Sequence, residues 1–276
     1  MAPTGGFRGL STRTKGAIVS TVVVVALVSL LIAATSSHTK KGVALFIFAG
    51  QSNMVGFGST GSTLPTNLRT PRKDAQFWDR SAGAWSTTPV TPNGVYGPEV
   101  STLRRLADKL HRPVLGVKVA ENSTSLATDW NPSSPNGYYA QMRSVVSDAL
   151  LARVKGEGLP QVAGFFWMQG EADAQQAATA EAYAANLNRF ISQVRTDFSQ
   201  DHLPFVIGRI RVNNPATEIG DNEVRAAENQ AAARNTNVKT VSTDDLTRIA
   251  DFLHFDGPGL IALGNRFADA YLAMKH

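Results

Sequence analysis

Apolar residues fall into blocks of strand length separated by stretches with a helical repeat. Residues 43–49 (VALFIFA) form a continuous apolar run that ends at Gly50. Such a run without alternation fits a strand covered on both faces. Similar blocks recur at 114–120, 162–167, 205–210 and 238–241. Between them, residues of about 98–110, 138–154 and 175–198 read as helices. In the last of these, Tyr183, Leu187, Phe190, Ile191, Val194 and Phe198 share one face at helical spacing. An Ala- and charge-rich stretch at 223–234 and a closing apolar stretch at 260–274 complete the series. Strands alternating with helices predict an α/β protein: a parallel sheet with helices on both sides, a three-layer α/β/α sandwich. No shift in composition divides the body into two domains. Segments 56–96 and 121–137 show no clear period, and loops of that length in a compact domain are often functional. Both follow strands, on the side of an open α/β sheet where ligands bind.

One block breaks the pattern. Residues 17–34 (AIVSTVVVVALVSLLIAA) carry no charge, and with Gly16 they approach the roughly 20 residues a helix needs to cross a bilayer. The run exceeds the 7–15 residues or so of a signal-peptide core. The expectation is an N-terminal transmembrane helix at 16–34, an uncleaved signal anchor. Small residues Ala34, Thr35 and Ser36 leave a cleaved signal open, and a buried soluble helix is the third reading. Charge supports the membrane reading. The chain has 27 Lys and Arg against 22 Asp and Glu, a net charge of +5. Five of those bases, Arg8, Arg13, Lys15, Lys40 and Lys41, lie in the first 41 residues, which hold no acid. The rest of the chain therefore balances 22 bases with 22 acids, and nucleic acid loses its support as a partner. Arg8, Arg13 and Lys15 outnumber Lys40 and Lys41 across the apolar run, which places the N-terminus in the cytoplasm and the main body outside. The organisation is thus a basic tail (1–15), the apolar helix (16–34), a stalk (35–41) and one domain (42–276). The two localisations expected are membrane-anchored with an extracytoplasmic domain, or secreted after cleavage.

The chain has no cysteine, which excludes disulfides, thiolate metal sites and cysteine nucleophiles. Its 43% apolar content is ordinary for a globular chain, and no spacing of metal ligands or phosphate-binding loop is visible. No cofactor or metal is expected. Four short segments can carry chemistry. Gly50-Gln51-Ser52-Asn53-Met54 ends the first buried strand, where a serine hydroxyl can project above the sheet and backbone N–H groups can hold an anion; an ordinary turn is the alternative. A nucleophilic serine needs a base. Among five histidines, His38 lies in the stalk, His276 ends the chain, and His111 and His202 precede turns. His254 sits three residues after Asp251, an offset at which the carboxylate can accept from the imidazole Nδ1–H and leave Nε2 for a serine proton. A capping aspartate beside an exposed histidine is the other reading. Trp167-Met168-Gln169-Gly170-Glu171-Ala172-Asp173 follows the central strand; its acids suit glycosidase work or a helix cap. Tyr96-Gly97-Pro98-Glu99 is a turn whose glycine N–H can face a ligand.

Taken together and in this order, GQSNM with Gly56, GPE (Gly97–Glu99), W-x-QGE-x-D (Trp167, Gln169–Glu171, Asp173) and D-x-x-H (Asp251, His254) resemble the SGNH hydrolase superfamily. The branch is the sialate O-acetylesterase and acetylxylan esterase type, carbohydrate esterase family six. The resemblance runs from about 43 to 272. It implies a flavodoxin-like sheet and a metal-free serine esterase acting on acetylated carbohydrate. It implies Ser52 as nucleophile, His254 as general base and acid, and Asp251 as its orienting partner, with Glu171 a second candidate for the acid. The oxyanion hole would take the N–H groups of Ser52 and Gly97 and the side chain of Gln169. Gln51, Asn53, Thr124 and Trp130 would bind substrate; Tyr138 and Tyr139 are further candidates for stacking on sugar or for core packing. Two positions depart from the family pattern: Met168 stands where histidine is common, and Asn122-Ser123-Thr124, also a glycosylation sequon, replaces a Gly-Gly-Thr turn. A non-catalytic glycan-binding domain, a lipase or thioesterase, and a glycosidase using Glu171 and Asp173 are the competing classes.

Overall fold

The computed structural model describes residues 42–91, 94–153, 160–211 and 218–274, which belong to one compact unit. The basic tail, the apolar run at 16–34 and the stalk lie outside the described residues. Among the described residues no helix is long and apolar enough to cross a membrane.

Among the described residues seven strands make one sheet: β1 (Ala44–Gly50), β2 (Ala75–Asp79), β3 (Ala84–Ser86), β4 (Val114–Ala120), β5 (Gln161–Met168), β6 (Phe205–Gly208) and β7 (Val238–Val241). Their order is β3-β2-β4-β1-β5-β6-β7. All neighbours run parallel except β3, which pairs antiparallel with β2 at the edge. β1 lies at the centre, and all seven of its residues are buried, as its unbroken apolar run requires. The chain builds one half of the sheet through β4, then crosses β1 to build the other half from β5. Gly50 is level with Ala120 and Met168, so the ends of β1, β4 and β5 open together at this reversal. That is where an α/β sheet offers a crevice.

Eight α-helices among the described residues accompany the strands: α1 (Ser52–Val55), α2 (Thr66–Arg69), α3 (Glu99–Leu110), α4 (Tyr138–Arg153), α5 (Glu171–Ala174), α6 (Ala177–Asp197), α7 (Glu218–Arg234) and α8 (Gly257–Leu272). Alternate residues of a strand point to opposite faces, and the aromatic contacts show which helix meets each. Phe46 meets Tyr271 edge-on at 5.0 Å, and Phe166 stacks 5.4 Å from Phe267, so α8 covers that face. α3 lies beside α8: Ser101 and Thr102 hydroxyls donate to the carbonyls of Ile261 and Gly264 at 2.9 and 3.0 Å. On the other face Phe165 and Trp167 pack on Phe190 of α6 at 5.7 and 4.5 Å, and Tyr139 of α4 joins them at 5.6 Å from the same ring. Burying one such ring stabilises by about 2–3 kcal/mol, so these two aromatic layers dominate the core. α8 starts where Asp256 caps the Gly259 N–H at 2.8 Å and Pro258 occupies the first turn.

The sequence reading places the main strands and helices within a few residues. It misses β2 and β3, which lie inside segment 56–96, read as a long loop. β2 has five residues and β3 three, too short for a period to emerge. β2 is held instead by its neighbours: it pairs with β4, and Phe77 and Trp78 are buried.

Candidate active site

Two glycines fix how the chain leaves β1. Gly50 has φ 151°, and a Cβ there would fall 2.0 Å from the Met168 carbonyl oxygen, which accepts the Gln51 N–H at 2.9 Å. Gly56 ends α1 at φ 97°, where a Cβ would fall 2.0 Å from the Tyr96 carbonyl oxygen. No larger residue fits either position without moving backbone. Between them α1 presents Ser52 at its first position, whose N–H has no acceptor within the helix.

The Ser52 Oγ lies 2.9 Å from His254 Nε2, and His254 Nδ1 lies 2.6 Å from Asp251 Oδ2. The other carboxylate oxygen, Oδ1, accepts the N–H groups of Leu253 and His254, both at 2.9 Å. Asp251 thus closes the turn and holds the ring. The tautomer that fits this geometry donates from Nδ1 to the carboxylate and leaves the Nε2 lone pair toward Ser52. Partial burial works to raise the Asp251 carboxyl, but hydrogen bonds from the His254 ring and from the His254 and Leu253 amides outweigh it and hold the group below its ordinary value. These three residues are brought together as expected across 202 positions of sequence.

Asn53 has a different place from the substrate contact expected of it. It is buried and ties the two halves of the site. Its Oδ1 accepts the Phe255 N–H at 3.0 Å, and its Nδ2 donates to Glu171 Oε1 at 2.8 Å and to the Leu253 carbonyl at 3.4 Å. Glu171 is therefore bound to Asn53, while Asp251 holds the histidine. Burial pushes the Glu171 carboxyl up, against the opposing bond from Asn53.

Most of the remaining expected residues, Gln51, Thr124, Trp130 and Gln169, form a second cluster at the end of β5. Asp173 accepts the N–H groups of Leu126 and Ala127 at 2.7 and 3.0 Å and the Gln169 amide at 2.6 Å. Gln169 also donates to the Thr124 carbonyl at 2.9 Å and to Gln51 Oε1 at 3.3 Å, and Gln51 Oε1 further accepts the Ala172 N–H at 3.2 Å. The Thr124 hydroxyl accepts the Trp130 indole N–H at 2.9 Å. Tyr183 closes the cluster by donating to the Gln169 backbone carbonyl at 2.7 Å. Gln51, Thr124, Trp130, Gln169 and Asp173 are all buried. Trp130 is packed edge-on against Trp167 at 5.2 Å and offers no face to a sugar, and Tyr139 is buried with its hydroxyl on Asp197. The cluster anchors segment 121–137 to the sheet. Asp173 has no exposed surface and its carboxylate is taken up by three donors, so the second acid of a glycosidase pair is missing.

Gly97 stands beside α1, but its N–H donates to Glu99 Oε1 at 3.1 Å. Lys118 donates to the same oxygen at 2.7 Å and to the Val55 carbonyl at 3.2 Å, so a buried ion pair underlies the end of α1. A cavity of about 480 Å³ adjoins this pair, walled in part by Val55, Trp78, Lys118, Glu121 and Asn122; Ser52, Asp251 and His254 do not line it. Sequence reasoning missed two exposed aromatic residues on the loops that carry Ser52 and His254. Phe57 and Phe252 are exposed, and the Phe57 ring lies 4.5 Å from the His254 ring. Their only signal was an aromatic one position beyond a motif residue, Gly56 or Asp251.

Known proteins share this architecture. Over 113 residues the chain is 29% identical to a probable carbohydrate esterase of Arabidopsis thaliana, a stretch covering 41% of this chain and 41% of that relative. A solved structure of an Arabidopsis thaliana protein aligns with TM-score 0.69 at 22% identity, covering 83% of this chain and 98% of that one. NanS aligns with TM-score 0.64 at 15% identity, covering 87% and 99%. A carbohydrate acetylesterase from Xanthomonas citri aligns with TM-score 0.60 at 16% identity, covering 82% of this chain and 55% of that one. At these identities the structural likenesses bear on the fold. The sequence goes further: the family model described as carbohydrate esterase, sialic acid-specific acetylesterase, matches residues 42–273, and the chain belongs to that family of carboxylic ester hydrolases.

Proposed function

We propose that the chain is a serine esterase that removes O-acetyl groups from a carbohydrate through an acyl-enzyme. The observation that carries this reading is the chain of contacts from Asp251 through His254 to Ser52, at 2.6 and 2.9 Å. In it, His254 Nε2 takes the Ser52 proton as Oγ attacks the acetyl carbonyl, and Asp251 stabilises the imidazolium that forms. The protonated ring then gives its proton to the departing sugar oxygen. In the second half the same nitrogen activates water, acetate leaves, and Ser52 recovers its proton. The Ser52 N–H, free of any helical acceptor, is the first donor for the oxyanion; one such donor contributes about 3 kcal/mol. Gly97 joins it when its N–H exchanges Glu99 for the oxyanion. Gln169 supports the site by position, since its amide is already engaged by Thr124 and Asp173.

Acetate release from acetylated xylan, O-acetylated sialic acids and acetylated bacterial polysaccharide tests the proposal, with Ser52→Ala as control. The expected result is release from at least one of them, abolished in the variant. Hydrolysis that survives Ser52→Ala overturns the mechanism, and preference for octanoyl over acetyl esters overturns the carbohydrate substrate. The segment at 16–34 is proposed as the attachment of this enzyme to a membrane, supported by its apolar length and flanking bases. Full-length chain should pellet with carbonate-washed membranes; a product starting near residue 35–37 would contradict an anchor.

A further inference from the structure

Three large apolar side chains are exposed among the described residues: Phe57 at 51%, Leu151 at 48% and Phe252 at 66%. Two of the three belong to the loops that carry Ser52 and His254. Grouped exposed apolar residues mark contact surfaces, whereas scattered ones need no explanation.

Both rings project from backbone that is fixed. The Phe57 N–H donates to the Ser52 carbonyl at 3.0 Å, so its position is set by the nucleophile residue itself. Phe252 follows Asp251 directly, and its N–H donates to the Ile249 carbonyl at 3.0 Å. The two loops touch: a Cβ on Gly58 would fall 2.3 Å from the Phe255 carbonyl oxygen and 3.3 Å from Ile249 Cγ2. Phe252 also sits at φ 57°, a left-handed conformation that is an outlier for a bulky residue. The turn thus holds a phenylalanine in a conformation suited to asparagine or glycine and leaves its ring in water. Neither core packing nor turn chemistry accounts for it, and strain of this kind gathers at ligand-binding sites.

We infer that Phe57 and Phe252 are specificity-determining residues that seat the sugar portion of the ester, the C–H face of a pyranose ring lying against one or both phenyl rings at the mouth of the Ser52–His254 site. This rests on the esterase reading above. An acetyl group carries only one methyl and needs little surface, so the apolar rim serves the larger alcohol half of the substrate. Phenyl faces bind a sugar through its C–H groups and leave its hydroxyls in water, which suits an open rim.

The test uses the full chain and the ratio of kcat/KM for an acetylated glycan to kcat/KM for methyl acetate, whose alcohol half is too small to reach the rings. The glycan is whichever of acetylated xylotriose and an O-acetylated sialic acid is cleaved faster. Phe252→Asn and Phe57→Ala are each expected to lower that ratio about tenfold, chiefly through KM for the glycan. Phe252→Asn should melt no lower than the parent, because asparagine accepts the left-handed backbone. Leu151→Ala, on the outside of α4, should leave the ratio alone. A ratio within threefold of the parent in both phenylalanine variants overturns the inference. A loss of octanoyl relative to acetyl ester cleavage also overturns it, since the rings would then hold an acyl chain. If the parent cleaves no ester at all, the esterase reading fails and this inference with it, a result distinct from an active enzyme with an unaltered ratio.

Discussion

Two aspartates near the ends of the central strands make nearly the same set of bonds. Asp251 accepts two consecutive backbone N–H groups and the ring nitrogen of His254. Asp173 accepts two consecutive backbone N–H groups and the amide of Gln169. Their surroundings separate them. Asp251 lies in a turn with 39% of its side chain exposed; burial is the largest single effect on its carboxyl and pushes it up, but its hydrogen bonds together hold it low. Asp173 is completely enclosed, and burial pushes its carboxyl up in spite of its donors. What each one holds also differs. The far nitrogen of His254 reaches a serine hydroxyl, whereas the Gln169 amide ends on a backbone carbonyl and Gln51. The same local chemistry orients a histidine ring toward a serine in one place and pins a loop in the other, and burial with the next group along decides which.

The largest effect expected from this contrast is on catalysis at Asp251. Asp251→Asn should lower kcat on any cleaved ester about 10⁴-fold by disturbing the tautomer of His254, with little change in melting temperature. Asp173→Ala should do the reverse: it leaves the Leu126 and Ala127 N–H groups and the Gln169 amide without their acceptor, and should cost about 3 kcal/mol in urea unfolding. A variant of Asp173 that folds at parental stability but loses all activity would break the comparison.

The pH dependence of stability should carry opposite signs at the two sites. Asp251 is lowered in the folded protein, so its contribution is fully present above the unfolded value of 3.8 and is lost as pH falls below it. Asp173 is raised, so the folded state keeps its proton longer and stability drains away as pH rises above 3.8. Unfolding free energies of the parent minus Asp251→Asn should therefore climb with pH below 3.8, and those of the parent minus Asp173→Asn should fall with pH above it. Equal signs would contradict the assignment. The smallest effect belongs to Trp130→Phe, which removes one hydrogen bond to Thr124 from a packed core and should cost about 1 kcal/mol by thermal or urea unfolding.

The contacts of Asp251, His254 and Ser52 were legible because each residue sits in a short motif with its own chemical logic. Gly50 and Gly56 flag a turn that only glycine permits, and the offset from Asp251 to His254 matches one turn of chain. The buried cluster was not legible in the same way. Thr124, Trp130 and Gln169 belong to family motifs, and a motif residue that holds the fold looks the same in sequence as one that holds substrate. Only the indole N–H on Thr124, with Trp167 against the ring, assigns Trp130 to the core. Asn53 is similar: its bonds to Phe255 and Glu171 span 202 and 118 positions of sequence, and no local pattern announces a clamp of that reach. β2 and β3 were hidden for another reason, since pairing of β2 with β4 and of β3 with β2, and not their own periodicity, makes them strands.

The central claim is that Ser52 is the group that takes the acyl portion of the substrate. Its most direct measurement is mass spectrometry of the intact chain and its peptides after reaction with a fluorophosphonate. One adduct per chain is expected, on the peptide containing Ser52, with ester hydrolysis lost in step, and no adduct in Ser52→Ala. Full hydrolysis by a chain whose Ser52 is modified, or an adduct at another residue that tracks the loss of activity, would contradict it.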